Sequence, residues 1–109
     1  MDKSNIVKSF ISLMFYVKPS DVKVTKVGGI YTSEHRSVTG EDEKIWYCQF
    51  KFKHMSSGVK WRWKGGRWRT LKSDPVLSYQ TKEDGSITVT EKASALEQSK
   101  TFKVGDFQE

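Results

Sequence analysis

Strict alternation of side chains over residues 45–53 constrains this chain more than any other feature. Trp46, Cys48, Phe50 and Phe52 fall on one side, and Ile45, Tyr47, Gln49, Lys51 and Lys53 on the other. A period of two belongs to a β-strand, whose successive Cβ atoms leave opposite faces. Residues 59–64 repeat it, with Val59, Trp61 and Trp63 against Lys60, Arg62 and Lys64. Gly65-Gly66 and a further run, residues 67–71, then predict a two-residue hairpin, because a type I′ turn needs positive φ at both central positions. In that register Lys64 faces Arg67, Trp63 faces Trp68, Arg62 faces Arg69 and Trp61 faces Thr70. The Trp63–Trp68 pair is expected at a close, non-hydrogen-bonded position, contributing about 0.5–1.5 kcal/mol beyond burial.

Other elements follow from the same reading. Ile6, Phe10, Leu13 and Val17 recur at helical spacing, with Val7, Ile11, Met14 and Phe15 widening the stripe, so residues 4–16 read as a helix capped by Ser4 or Asp2 and ended by Pro19. Such a stripe belongs on a sheet; as an interfacial membrane helix it would have only Lys3, Lys8 and Lys18 for cationic support. Residues 22–27 read as a strand, Gly28-Gly29 as a bulge or turn before 30–32, and 33–43 as a polar loop or long hairpin connection. Residues 54–58 are expected to turn. Residues 76–80 and 86–91 form a second expected hairpin around Glu83-Asp84-Gly85, after a break at Asp74-Pro75. Residues 93–100 are compatible with one or two helical turns, and 102–104 with a last short strand. The expected fold is a single α+β domain over 1–109, an N-terminal helix packed on one face of a twisted antiparallel sheet of five or six strands.

Charge points to a partner. The chain carries a net charge of +6 over its 109 residues. Residues 1–43 are balanced, 73–109 sum to −3, and 44–72 hold nine Lys or Arg and no acid. Three of the four arginines lie in the expected hairpin. Antiparallel sheets often carry a solvated polar face, and edge lysines discourage aggregation. A merely soluble face mixes signs, however. Like charges directly opposite destabilise a sheet by up to about 1 kcal/mol a pair, so an external anion is expected to compensate them. The expected function is a small, non-enzymatic nucleic-acid-binding protein using Lys60, Arg62, Lys64, Arg67 and Arg69, extended by Lys51, Lys53, Tyr47 and Gln49. Arginine suits forked contacts with phosphate. Because Tyr47 is the one aromatic on that face, duplex is slightly favoured over single strands, with a β-ribbon able to enter a major groove. Five neutralised phosphates would give a log–log salt slope of roughly −4 to −5. The alternative partner is an acidic protein surface, met by a small regulatory or inhibitory module.

Chemistry is sparse. His35, His54 and Cys48 show no metal-ligand spacing, and no glycine-rich phosphate loop precedes a helix. No cofactor and no metal are expected. Glu34, Glu41, Asp42 and Glu43 ahead of Gln49-Phe50-Lys51 loosely echo an Mg²⁺-dependent nuclease, the least favoured reading, and Glu34-His35-Arg36 is expected to be a solvated loop. Cys48 reads as a packed, inert thiol. The four tryptophans read as core in preference to a carbohydrate or ligand platform. One cysteine excludes an internal disulfide and fits a reducing, cytoplasmic setting. The apolar stretch 6–17 is interrupted by Lys8, Ser9 and Ser12 with no A-x-A-like site after it, so neither secretion nor a membrane span is expected.

Overall fold

Helix α1, Ser4–Phe15, is buried on nearly every side: Ile6, Val7, Phe10, Ile11 and Leu13 lie inside, and so do Ser9 and Ser12. A single flat sheet covers one face of a helix only. The burial is explained by a sheet that curls, its first two strands and its last two all touching α1. The structure, a computed structural model, describes residues 3–39, 42–54, 58–70, 73–93 and 96–108. Its seven antiparallel strands follow chain order: β1 Lys23–Val27, β2 Ile30–Thr39, β3 Asp42–Phe52, β4 Gly58–Trp63, β5 Val76–Thr81, β6 Ile87–Ala93 and β7 Leu96–Phe102. The α+β expectation holds, with seven strands in place of five or six.

The helix begins differently from the expectation. Lys3 occupies the position before its first residue, Val7 N–H donates to Lys3 O at 3.1 Å, and Ser4 sits inside the helix; Asp2 lies outside the described residues. The helix closes at Tyr16, left-handed with φ 59°, whose N–H donates to Ser12 O at 3.0 Å. Pro19 opens a short 3₁₀ turn, Pro19–Asp21, beyond it. Among the described residues no helix is long and apolar enough to cross a membrane.

Gly28 and Gly29, with φ of 57° and 82°, make the tight turn joining β1 to β2, Val27 opposite Ile30. Both positive angles are what a type I′ turn requires. Residues 33–43, expected to be a loop or connection, instead run mostly as β2 and the start of β3; residues 40 and 41, between the strands, lie outside the described residues. The alternation there is masked because the inward positions are polar. Ser33 and His35 face the core, opposite Cys48 and Trp46, and the Ser33 hydroxyl donates to Cys48 O at 3.3 Å. The C-terminal segment is corrected similarly. Residues 96–102 form β7, paired with β6 from Ala93↔Leu96 to Ile87↔Phe102, and Val104–Phe107 is a 3₁₀ turn. Outward rungs there are hydroxyl pairs, Thr88–Thr101 and Thr90–Ser99, each at 2.8 Å.

The core lies between the helix and the concave face. Phe10 stacks on Phe50 at 6.0 Å between ring centroids, and Val22, Tyr31, Val59, Trp61, Leu77, Ile87, Val89 and Phe102 complete it. The narrow seam is β4–β5, where the pairs among the described residues are Gly58↔Ser78 and Val59↔Leu77. The rest of β4's edge is met by the chain returning after Lys64, with Arg69 N–H donating to Trp61 O at 2.8 Å.

Candidate nucleic-acid interface

Strands β3 and β4 pair in a register that can be followed on both faces. Cys48↔Trp63, Phe50↔Trp61 and Phe52↔Val59 point into the core, while Gln49↔Arg62 and Lys51↔Lys60 point outward. Backbone bonds at the two ends of this ladder, Lys53 N–H to Gly58 O at 3.1 Å and Lys64 N–H to Tyr47 O at 3.0 Å, continue the outward series. The expected parity of Trp46, Cys48, Phe50 and Phe52 against Tyr47, Gln49 and Lys51 therefore holds, as does that of Val59, Trp61 and Trp63 against Lys60 and Arg62. Because the helix occupies the concave side, these cations stand on the convex side of the sheet.

The outward rows are organised. Arg62 Nε donates to Gln49 Oε1 at 2.8 Å, which orients the guanidinium along the sheet. Lys64 Nζ lies 5.3 Å from the Tyr47 ring centroid. Lys51 and Lys60 oppose each other with like charge. Among the described residues no ion pair involves Lys51, Lys53, Lys60, Arg62 or Lys64. On β2 the neighbouring outward residues are mixed in sign: Glu34 stands opposite Lys23 and Tyr47, and Arg36 binds Glu43 at 2.9 Å.

The hairpin expected after Gly65-Gly66 is not formed. Gly66 N–H donates to Trp63 O at 2.8 Å, and only the first glycine, Gly65, has positive φ, 84°. A positive angle at the second central residue alone is the type II pattern, which splays the flanking strands where type I′ would pair them. Residues 67–70 accordingly return beside β4 without forming a strand, and residue 71 lies outside the described residues. Asp74 fixes this segment. Its carboxylate side chain, 7% exposed, accepts two bonds from Arg67, at 2.8 and 3.2 Å, and lies 3.8 Å from Arg69. Hydrogen bonding to Asp74 pushes the Arg67 pKa further up. Arg69 also stands over the Trp61 ring at 5.7 Å. Two of the three arginines expected to meet an external anion thus share one internal carboxylate, Arg67 in a bidentate pair and Arg69 at its margin, and neither Lys64–Arg67 nor Arg62–Arg69 is a like-charge rung.

The same correction moves Trp68. It does not face Trp63, which packs inward against Phe15, Trp46 and Trp61 at 5.3, 5.4 and 5.9 Å. Trp68 is half-buried, lies outside the hydrophobic core, and stacks on Arg62, whose guanidinium carbon is 4.4 Å from the ring centroid. Since Arg62 is an outward residue of β4, Trp68 joins Tyr47 on the basic face. The signal available in the sequence was Asp74, the first acid after thirty acid-free positions, close enough to draw back the arginines before it.

The remaining groups take structural positions. Cys48 is fully buried and its thiol is pushed up to about 12 by burial, which keeps it protonated. His35, expected in a solvated loop, is 4% exposed and stacked on Phe15 at 4.9 Å; burial lowers its pKa, and its Nδ1 has no hydrogen-bond partner. Trp46, 37% exposed at the rim, donates its indole N–H to Ser37 Oγ at 2.7 Å, while the buried Trp61 indole N–H has no partner. His54 lies exposed in a turn after β3, and residues 55–57 lie outside the described residues. Of the acids in the nuclease-like pattern, Glu34 and Glu43 are apart on the outer face with basic neighbours, and Glu41 lies outside the described residues; among the described residues no three His, Cys, Asp or Glu side chains gather to hold a metal. Comparison with protein-family models, curated proteins and solved structures finds no match to this chain.

Proposed function

We propose that this chain binds nucleic acid on the convex face of β3 and β4, as a binding protein and not a catalyst. Lys51, Lys60, Arg62 and Lys64 meet backbone phosphates, Lys53 extends the row, and Tyr47 and Gln49 supply neutral contacts beside them. Arg67 and Arg69 take a supporting role, holding the segment after Lys64 through Asp74. The observation that carries the reading is the Lys51↔Lys60 rung beside Arg62 and Lys64, a run of cations with no carboxylate partner among the described residues. Placing like charges opposite each other works against the sheet unless something external compensates, and a phosphodiester chain has the extended geometry to follow a strand.

The test is a mobility-shift series with Lys51→Glu plus Lys64→Glu. Both positions are exposed, so the variant should keep the wild-type circular dichroism spectrum and lose binding. Four phosphate contacts give a log–log salt slope between about −2.8 on single strands and −3.6 on duplex. A folded double variant with unchanged affinity removes this face from consideration. Binding to an acidic protein, the competing reading, would show as capture that survives nuclease treatment.

A further inference from the structure

Resting on that reading, we infer that the nucleic acid taken by this face is single-stranded, with Trp68 and Tyr47 as the platforms on which its bases stack. Three observations converge. The first is shape. The sheet curls around α1, so the cationic face is convex. A duplex is itself a convex cylinder, and two convex bodies touch over a narrow strip, whereas a flexible single strand can bend around the protein and keep successive phosphates in reach.

The second is the missing ribbon. A β-ribbon reader needs two paired strands projecting into a major groove. After Gly65 the chain does not pair as a strand with β4, and Arg67 and Arg69 are drawn to Asp74. The β2–β3 hairpin is long enough to project, but its outward residues toward the tip include the Arg36–Glu43 ion pair and not a basic patch.

The third is the placement of rings. Trp68 stacks on Arg62, Arg62 is bonded to Gln49, and the next outward row along the same two strands is Tyr47 beside Lys64. Rows two residues apart on a strand are separated by about 6.8 Å, so a ring and a cation recur at two successive levels. Base–aromatic stacking accepts any base, which makes the platform tolerant of sequence. The cations set the register on the backbone, and the rings reject a duplex, whose bases present edges and not faces.

The experiment compares 15-nucleotide oligo-dT, 15-nucleotide oligo-rU and a 15-base-pair mixed duplex by fluorescence anisotropy, with wild type, Trp68→Ala, Trp68→Phe and the Lys51→Glu plus Lys64→Glu variant. Wild type should prefer one of the single strands to duplex at least tenfold. Trp68→Ala should weaken single-strand binding about 5- to 100-fold and duplex binding much less, with little change in the salt slope, and Trp68→Phe should retain most of the affinity. Equal binding of oligo-dT and oligo-rU supports recognition by backbone and stacking alone; a preference for one adds a contact at the sugar 2′ position or the thymine methyl group. Equal or tighter duplex binding, or a Trp68→Ala protein that is folded and unimpaired, overturns the inference. If the charge-reversed variant nonetheless loses binding, the cationic face stands without it; if charge reversal also changes nothing, both fall together.

Discussion

Replacing Lys60 with Glu should move stability and binding in opposite directions. Lys60 sits directly across from Lys51, so the substitution removes a like-charge rung and creates an opposite-charge one. Each contribution is about 0.2–1 kcal/mol on an antiparallel pair, with exposed pairs toward the lower half. The sum predicts a protein more stable by about 0.4–1.2 kcal/mol at 20 mM salt. For 109 residues the unfolding entropy is roughly 230 cal/mol/K, so Tm should rise by about 2–5 °C. At 1 M salt, where the Debye length is about 3 Å, most of that gain should vanish. Nucleic-acid affinity should fall about tenfold at low salt and the salt slope should shrink by about 0.7–0.9, one phosphate contact. Thermal unfolding and anisotropy titrations at the two salt concentrations measure both. A variant destabilised at low salt would refute the electrostatic reading of the rung; a stabilised variant with undiminished binding would show that the rung faces no phosphate.

Two further outcomes test the frame that positions the site. Gly85 has φ 85°, and a Cβ there would stand 2.6 Å from Val104 Cγ2; Gly85→Ala should therefore lose about 1–3 kcal/mol in urea unfolding, and adding Val104→Ala should restore the steric part while leaving the cost of the backbone angle. His35 is buried and its pKa is lowered, so the unfolded chain takes up a proton near pH 6.5 that the folded chain resists. Its contribution is fully present above about 6.5 and declines as pH falls, with a slope no steeper than about 1.4 kcal/mol per pH unit; His35→Phe, which keeps a ring beside Phe15, should flatten the stability profile between pH 7 and 5, and an unchanged profile would refute the assignment.

Legibility in the sequence tracked the chemistry of the inward positions. Residues 45–52 and 59–63 alternate apolar with polar and could be read directly, down to which cations share a face. Ser33 and His35 occupy core positions of β2 without being apolar, so the strand was invisible to hydrophobic periodicity. In β7, Gln98 occupies the inward rung and donates to Glu91, and only Phe102 betrays the buried end. The two Gly-Gly pairs show the limit of turn chemistry: Gly28-Gly29 adopts two positive angles and closes a hairpin, whereas Gly65-Gly66 adopts one and does not. Composition is identical; after the second pair Arg67 and Arg69 reach Asp74 instead of lying across from Lys64 and Arg62. Trp68, between those two arginines, lies over Arg62 and does not face Trp63, so strand parity could not assign it.

The β4–β5 seam, two residue pairs wide among the described residues, divides the curled sheet into a four-stranded and a three-stranded leaf, both touched by α1. Such a division predicts two cooperative opening units in amide exchange, with the helix amides following whichever leaf opens last. A strand of nucleic acid lying on the first leaf would slow exchange in β3 and β4 and leave β6 and β7 at their former rates, so occupancy could be mapped without labelling the ligand.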